Sequence, residues 1–337
     1  MKFYKEQFGR LGDQDVFLLK LENDKGLKLA ITNFGATVTS LALPTEKDGL
    51  INVVLGYDTL QQYVADEFYL GCLVGRFAGR ISRGGFHINK EFYQLFQNDR
   101  INKIHLHGGE HGFNKKIFSI VSFQKESASQ SVTLYYRSID GEEGYPGNLD
   151  LWVIYSLTNE NQFIIDYKAK TDKATHINLT NHSYFNLTGK PQEALKQELL
   201  IQSDTFLLTD SNYIPTGKKQ SVENSINDFR KQVPIDHRFA RQAITGYNEC
   251  YVLNKDADDL AAVLVDPFSE RKMTLATTAP GLVFYTGDHL GGKFAKCQGV
   301  CLEPEFFPDT PNQPAFPTTI LNPGQEWLSE TTYQFFW

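Results

Sequence analysis

Several features that would assign this chain to a familiar class are scarce or missing from its 337 residues. It has four cysteines and no Cys-X-X-Cys pair, which argues against a disulfide framework and against a zinc or redox motif. No apolar run is long enough to span a bilayer, and the first residues lack the apolar stretch of a signal peptide. Basic residues are outnumbered, 33 against 40 acidic ones, so the net charge is −7 and neither nucleic acid nor an anionic membrane is an expected partner. We therefore expect a cytoplasmic protein with reduced thiols.

Long amphipathic helical patterns are also missing, whereas short segments of alternating apolar and polar residues recur along the chain. Such segments, separated by turns rich in Gly, Pro, Asn and Asp, are typical of an antiparallel sandwich. The clearest predicted strands are 119–123, 131–138, 149–157 and 163–169. Residues 60–67 are expected to form a short helix or an irregular loop, and the polar, poorly patterned residues 207–242 to form long loops. Because no repeat or linker divides the chain, we predict one all-β domain over residues 1–337, a large antiparallel β-sandwich with few short helices.

Residues 177–187 carry the strongest alternation and hold a histidine in a polar row. If the segment is one strand, one face is polar throughout and carries no charged side chain. That row consists of Asn178, Thr180, His182, Tyr184 and Asn186. Neutral donors and acceptors suit a hydroxyl-rich ligand, although an ordinary strand with a hydrogen-bonded histidine explains the pattern equally well.

Other side chains with chemical potential lie in two further places. His105, His107 and His111 stand among glycines, and Glu303 follows an apolar run and precedes a proline-rich segment. A carboxylate in that position either caps a buried strand or points into a site. Arg76 and Arg80, in a glycine-containing stretch, are candidates to clamp a polar ligand, although surface or salt-bridged arginines are more common.

Two chemistries fit a histidine combined with a carboxylate. In the first, His105 and His107 share a strand face and bind a metal together with a nearby carboxylate. Glu110 follows these histidines too closely for the usual metal-binding pattern, and no second motif with a later histidine is present. In the second, a carboxylate removes one proton while an imidazole donates another, without a metal or cofactor.

Four stretches of the chain resemble the aldose 1-epimerases, also called galactose mutarotases. They are Gly75-Arg-Phe-Ala-Gly-Arg-Ile, Leu106-His-Gly-Gly-Glu-His-Gly-Phe, Asn178-Leu-Thr-Asn-His-Ser-Tyr-Phe-Asn-Leu and Cys301-Leu-Glu-Pro-Glu-Phe-Phe-Pro-Asp-Thr-Pro-Asn. They occur in the order of the family, and weaker matches extend the likeness over nearly the whole chain. The resemblance implies a galactose mutarotase-like supersandwich, no metal or organic cofactor, and interconversion of the α and β anomers of a free aldose, galactose or glucose being typical.

The resemblance also implies a role for individual residues. Glu303 occupies the position of the base that removes the proton of the anomeric hydroxyl, and His182 that of the acid that protonates the ring oxygen. His107 and Arg80 match residues that hold the sugar, and Asn248 stands where the family usually has a sugar-binding aspartate. The expected partner is a small-molecule aldose, bound by a monomer or homodimer.

Three positions depart from the family pattern. Besides Asn248, they are Val283, where the family has glutamine, and Glu305, which places a second carboxylate two residues after Glu303. Such a neighbour could raise the pKa of Glu303. The departures indicate a changed sugar preference, for example for maltose or another reducing sugar, or a weakened site, rather than lost chemistry. The alternatives are a non-catalytic carbohydrate-binding relative and a metal-dependent sugar isomerase that uses His105 and His107.

Overall fold

A computed structural model describes residues 1–45, 49–238, 245–254 and 260–337. The first half contains the strands β1 (Lys2–Leu11), β2 (Gln14–Glu22), β3 (Lys28–Thr32), β4 (Thr37–Thr45), β5 (Gly49–Asn52), β6 (Leu73–Val74), β7 (Arg80–Ile81), β8 (Gly85–Ile88), β9 (Glu91–Gln94), β10 (His105–Leu106), β11 (Ser119–Lys125), β12 (Ser129–Ser138), β13 (Leu149–Thr158) and β14 (Gln162–Thr171). The second half contains β15 (Thr175–His176), β16 (Thr180–Asn181), β17 (Tyr184–Phe185), β18 (Glu198–Ile201), β19 (Thr205–Thr209), β20 (Pro215–Ser221), β21 (Val233–Pro234), β22 (Asn248–Val252), β23 (Leu260–Val265), β24 (Lys272–Thr277), β25 (Gly281–Tyr285), β26 (Val300–Glu305), β27 (Ile320–Leu321) and β28 (Trp327–Phe336).

Helical structure is limited to short segments. The α-helix α1 (Leu60–Val64) begins at Thr59, whose side chain accepts the backbone N–H of Gln62 while the Gln62 side chain accepts that of Thr59, a capping box. The 3₁₀ turns are Ser82–Gly84, Phe113–Lys115, Glu142–Gly144, Ala194–Lys196, Ile235–Arg238 and Thr310–Asn312. No helix in the described ranges has the length and apolar character to cross a membrane.

Three antiparallel sheets form the body of the protein. A nine-stranded sheet has the order β11-β12-β13-β14-β28-β24-β23-β18-β21, a six-stranded sheet the order β17-β26-β25-β22-β19-β20, and a five-stranded sheet runs from β1 to β5 in chain order. Apolar side chains of all three sheets meet in one core, as Ile31, Val153 and Phe284 illustrate. The predicted β-sandwich with few short helices is therefore confirmed.

The predicted strands of the nine-stranded sheet are also confirmed. Their burial explains why the alternation of apolar and polar residues predicted them. Along β13 every second residue is buried, and β14 repeats the alternation in register with it. The side chains of a strand point alternately to the two faces of its sheet, so one face of each strand enters the core.

Two other expectations were wrong. Residues 177–187 do not form one strand: only β16 and β17 are strands there, and the whole segment is buried. Its asparagines bond mainly to backbone, Asn178 to the Ala78 and Phe306 carbonyls and Asn186 to the Lys190 and Gln298 carbonyls. The predicted polar row is therefore largely part of the scaffold.

Residues 207–242 are not simply long loops. The strand β19 continues into them, and β20 and β21 lie within them, at the edges of the six- and nine-stranded sheets. Residues 239–242 lie outside the described ranges. Edge strands carry polar side chains on more than one side, so they lack the alternation that a half-buried strand shows.

Candidate active site

Glu303 lies on β26, a strand whose two faces have different surroundings. Val300 and Leu302 point into the core, whereas Cys301, Glu303 and Glu305 point to the other side of the sheet. Glu303 is 3% exposed, and its carboxyl group faces a cavity rather than bulk solvent.

His182 reaches the same cavity from the bend between β16 and β17. Its backbone N–H donates to the Cys72 carbonyl and its own carbonyl accepts from Gly71, so the bend is fixed on both sides. The strand β17 then pairs with β26, with Tyr184 opposite Cys301. This pairing places His182 Nε2 3.7 Å from Glu303 Oε2.

Arg80 and His107 are brought together by another short strand pair. The strand β7 pairs with β10, with Arg80 opposite Leu106, and His107 follows directly in a left-handed conformation with φ of 52°. Its Nδ1 accepts the Gly79 N–H at 3.3 Å, so the hydrogen of the neutral ring is on Nε2. The Arg80 guanidinium lies 5.0 Å from the centre of the Tyr213 ring.

All five residues predicted for the site line one cavity of about 250 Å³. Besides Glu303, His182, Arg80 and His107, these include Asn248, and the departing residues Val283 and Glu305 line it too. Val283 is the cross-strand neighbour of Glu303. A larger groove of about 510 Å³ involves the five-stranded sheet, but its lining contains no histidine and no arginine. The cavity around Glu303 is therefore where acid–base chemistry can occur.

Burial shifts the pKa values of Glu303 and His182 in opposite directions. It raises the pKa of Glu303 to about 8 and lowers the pKa of His182 to about 4, because a low-dielectric environment disfavours the charged form of each group. The charge of Arg80 opposes the rise at Glu303. Burial therefore favours a protonated carboxyl group beside a neutral imidazole in the unliganded pair.

The pKa of Glu303 is raised, as the second carboxylate suggested, but for a different reason. Burial raises it, whereas the repulsion between the two carboxylates acts on Glu305, whose pKa lies well above its ordinary value through burial and then through the charge of Glu303. Because neighbouring carboxylates repel each other, the form in which Glu303 is ionised is one in which Glu305 keeps its proton. In that form its carboxyl group can both donate and accept, as a glutamine amide can.

The structure does not support the metal pair His105 and His107. The strand β10 ends at Leu106, and His105 turns into the interior, where Nδ1 contacts the Phe96 carbonyl and Nε2 the Tyr145 hydroxyl, both at 2.7 Å. Both nitrogens of His105 are therefore occupied. Within the described part of the chain, the one group of three side chains that could hold a metal is His182, Cys301 and Glu303, with donor atoms within 4.8 Å of one another.

Two other candidate residues, Arg76 and His111, do not line the cavity. Arg76 is buried, and its guanidinium donates to the Pro146 and Gly147 carbonyls, among other acceptors. It is a structural residue. His111 is exposed and is not among the lining residues.

Sequence analysis missed three neighbours of the acid–base pair. The Tyr69 ring lies 4.7 Å from that of His107 and 6.0 Å from that of His182, and Tyr285 also lines the cavity. No local pattern marks Tyr69, which comes from a loop. Cys301 Sγ lies 3.5 Å from His182 Nδ1. The alternation of β26 already places Cys301 on the face of Glu303, so that signal was available in the sequence.

Comparisons with known proteins agree with the resemblance in sequence. A sequence model of the family described as aldose 1-epimerase matches residues 18–334. A galactose mutarotase from Bos taurus is 35% identical, over 96% of this chain and 95% of its own, and an aldose 1-epimerase from Escherichia coli is 34% identical over 94% of both. The crystal structure of a galactose 1-epimerase from Lactobacillus acidophilus superimposes with a TM-score of 0.89 at 28% identity, covering 99% of this chain and 98% of the other. The chain therefore belongs to the aldose 1-epimerase family of isomerases, which interconvert the α and β anomers of aldoses.

Proposed function

We propose that this protein interconverts the anomers of free galactose or glucose, with Glu303 as the base and His182 as the acid, and without a metal or cofactor. One observation carries the proposal: Glu303 Oε2 and His182 Nε2 are 3.7 Å apart and line the same cavity. The anomeric hydroxyl and the ring oxygen of a sugar are bonded to the same carbon. Two groups this close can therefore each contact one of these oxygens.

The reaction then needs only two proton transfers and one bond cleavage. The Glu303 carboxylate takes the hydrogen of the anomeric hydroxyl, the electrons of that O–H bond form the C1 carbonyl, and the bond between C1 and the ring oxygen breaks. The ring oxygen receives the Nε2 hydrogen of the neutral His182 ring, so the negative charge that leaves Glu303 ends on the imidazole as imidazolate until the ring closes again. The aldehyde turns about the C1–C2 bond, and the ring closes on its other face with the roles reversed.

Three further side chains are proposed to hold the sugar. His107 presents an Nε2–H because its Nδ1 is occupied by Gly79, and Arg80 presents a fork of N–H donors over Tyr213. Asn248 offers both a donor and an acceptor from β22. These groups fix the sugar hydroxyls while the anomeric carbon reacts.

Polarimetry tests the proposal. We expect the wild-type protein to accelerate the decay of optical rotation of fresh α-galactose or α-glucose, with α-maltose included as a larger substrate. Glu303→Gln and His182→Ala should each reduce kcat by roughly 10²- to 10⁴-fold. Glu126→Gln and His111→Ala, exposed residues outside the cavity, are the matched controls.

The outcomes separate the alternatives. Activity on maltose alone would correct the substrate and keep the mechanism. If no aldose is turned over but calorimetry shows that sugar binds, the protein is a carbohydrate-binding relative and the proposed activity is wrong. Full activity of Glu303→Gln would remove the carboxylate from the mechanism.

We also propose that residues 1–337 act as one domain in the cytoplasm. The four cysteines are free thiols, which suits a reducing compartment.

A further inference from the structure

We propose that Cys301 is a positioning residue for His182: its thiol donates a hydrogen bond to Nδ1 and so keeps the imidazole hydrogen on Nε2, the nitrogen that faces Glu303. The inference rests on the proposed function, since it assigns His182 the role of the acid. It adds a residue that the reaction scheme above does not use.

The contacts of the His182 ring define the geometry. Cys301 Sγ lies 3.5 Å from Nδ1, and Glu303 Oε2 lies 3.7 Å from Nε2 on the other side of the ring. Cys301 is fully buried and His182 is 4% exposed. The Cys301 thiol therefore contacts Nδ1, the ring nitrogen on the side away from the Glu303 carboxyl group.

The proposed direction of the hydrogen bond requires a thiol that keeps its hydrogen. Burial raises the pKa of the Cys301 thiol well above its ordinary value, so the sulfur keeps its hydrogen. A neutral imidazole has one nitrogen that donates and one that accepts. A thiol that donates to Nδ1 makes this nitrogen the acceptor and leaves the hydrogen on Nε2.

No other titratable group around the ring competes for Nδ1 within the described part of the chain. The neighbouring rings are those of Tyr69, His107, Tyr184 and Tyr285, with centroids 5.0 to 6.4 Å from that of His182. The Tyr184 hydroxyl donates to the Phe68 carbonyl and also lies within hydrogen-bonding reach of the Cys301 thiol, and burial keeps His107 neutral. The carboxyl group of Glu303 lies at Nε2, and Glu305 and Arg80 line the same cavity.

The tautomer matters because the two ring nitrogens are not equivalent in the reaction. With the hydrogen on Nε2, His182 can give it to the ring oxygen of the sugar. With the hydrogen on Nδ1, it would present a lone pair to that oxygen and could not act as the acid. The hydrogen bond made by the remote nitrogen decides between these forms.

Strand pairing holds Cys301 and His182 next to each other. Cys301 and Glu303 are two residues apart on the same face of β26, and Tyr184, two residues after His182, pairs directly with Cys301. One strand thus supplies both the base and the group that orients the acid.

The test compares Cys301→Ala, which removes the donor, with Cys301→Ser, which keeps one. We expect kcat of Cys301→Ala to fall by about tenfold or more, yet by less than the roughly 10²- to 10⁴-fold loss expected when the acid itself is removed. KM should change little, and Cys301→Ser should recover most of kcat. Cys297→Ala, which removes a thiol outside the cavity, should behave as wild type.

Nitrogen-15 NMR of the histidine rings gives the second readout, which a purely structural role would not move. The wild-type His182 should show a protonated Nε2 and an unprotonated Nδ1 at neutral pH, and Cys301→Ala a mixture of the two tautomers. A protonated Nδ1 in the wild type, or wild-type kcat with an unchanged tautomer in Cys301→Ala, would overturn the proposal. The wild-type spectrum alone can overturn the proposed tautomer, so a variant that fails to fold does not leave the proposal untested.

Discussion

The ionisation of Glu303 predicts how the reaction rate depends on pH. A base must be deprotonated, and burial places the pKa of this carboxyl at about 8 instead of its ordinary 4.5. At pH 7 about one tenth of the free enzyme would therefore carry the carboxylate, and at pH 6 about one hundredth. We expect kcat/KM to rise about tenfold per pH unit up to pH 7.5, and to level off above pH 8.5.

The second group decides the shape of the profile. The pKa of His182 is lowered to about 4, so the ring is neutral from pH 5 upwards and contributes no further limb if its neutral Nε2–H form is the acid. If the imidazolium were the acid, each gain of carboxylate between pH 4 and pH 8 would be cancelled by an equal loss of imidazolium. The profile would then be flat across this range. A profile that rises between pH 5 and pH 8 thus indicates a neutral His182 as the acid, whereas a profile that is flat over this range indicates the imidazolium.

The assay is the initial rate of change of optical rotation at subsaturating α-galactose, measured from pH 5 to pH 9.5. Spontaneous mutarotation in each buffer must be subtracted because acids and bases catalyse it. In Glu303→Gln the limb should vanish together with most of the activity. A limb near pH 4.5 would refute the inference that burial controls this carboxyl, and a flat profile would refute the neutral-imidazole acid.

Three further results are expected. Glu305→Gln should move the limb by less than about half a pH unit, since Glu305 is protonated while Glu303 titrates; a shift of a full unit or more would show direct repulsion in the wild type. Arg76→Met should lower the free energy of unfolding in urea by at least about 3 kcal/mol, because it leaves several buried carbonyls without a donor, whereas Arg80→Met should chiefly raise KM; equal stability of the two variants would contradict this division. Incubation with a chelator should leave kcat unchanged, and a loss that added zinc reverses would count against a metal-free reaction.

Much of the cavity lining was predictable because its histidines and carboxyl groups lie in short, distinctive stretches of sequence. Glu303 follows an apolar run that is a buried strand, and His182 lies in the most distinctive segment of the chain. What the sequence could not supply is the pairing between distant strands. The last strand, β28, lies between β14 and β24 in the nine-stranded sheet, an arrangement that depends on contacts more than 150 residues apart.

The misreading of residues 177–187 has a physical reason. Alternation identifies a strand with one wet and one dry face, but this segment is enclosed on every side and its asparagines bond to backbone groups of other segments. A polar row without charge can therefore serve the scaffold as well as a ligand. Only His182 and Tyr184 of that row line the cavity.

The alternation of β26 links the cavity around Glu303 to the packing of the core. Val300 and Leu302 are fully buried in the core, and Cys301 and Glu303 alternate with them on the cavity side. A shift of one residue in the pairing of β26 with β25 would exchange the two sets, placing a carboxyl group in the apolar core. The core thus fixes the register, and the register fixes which side chains meet His182. A sequence change in this strand that preserves its apolar positions should therefore keep Cys301 and Glu303 on the side of the sheet that faces His182.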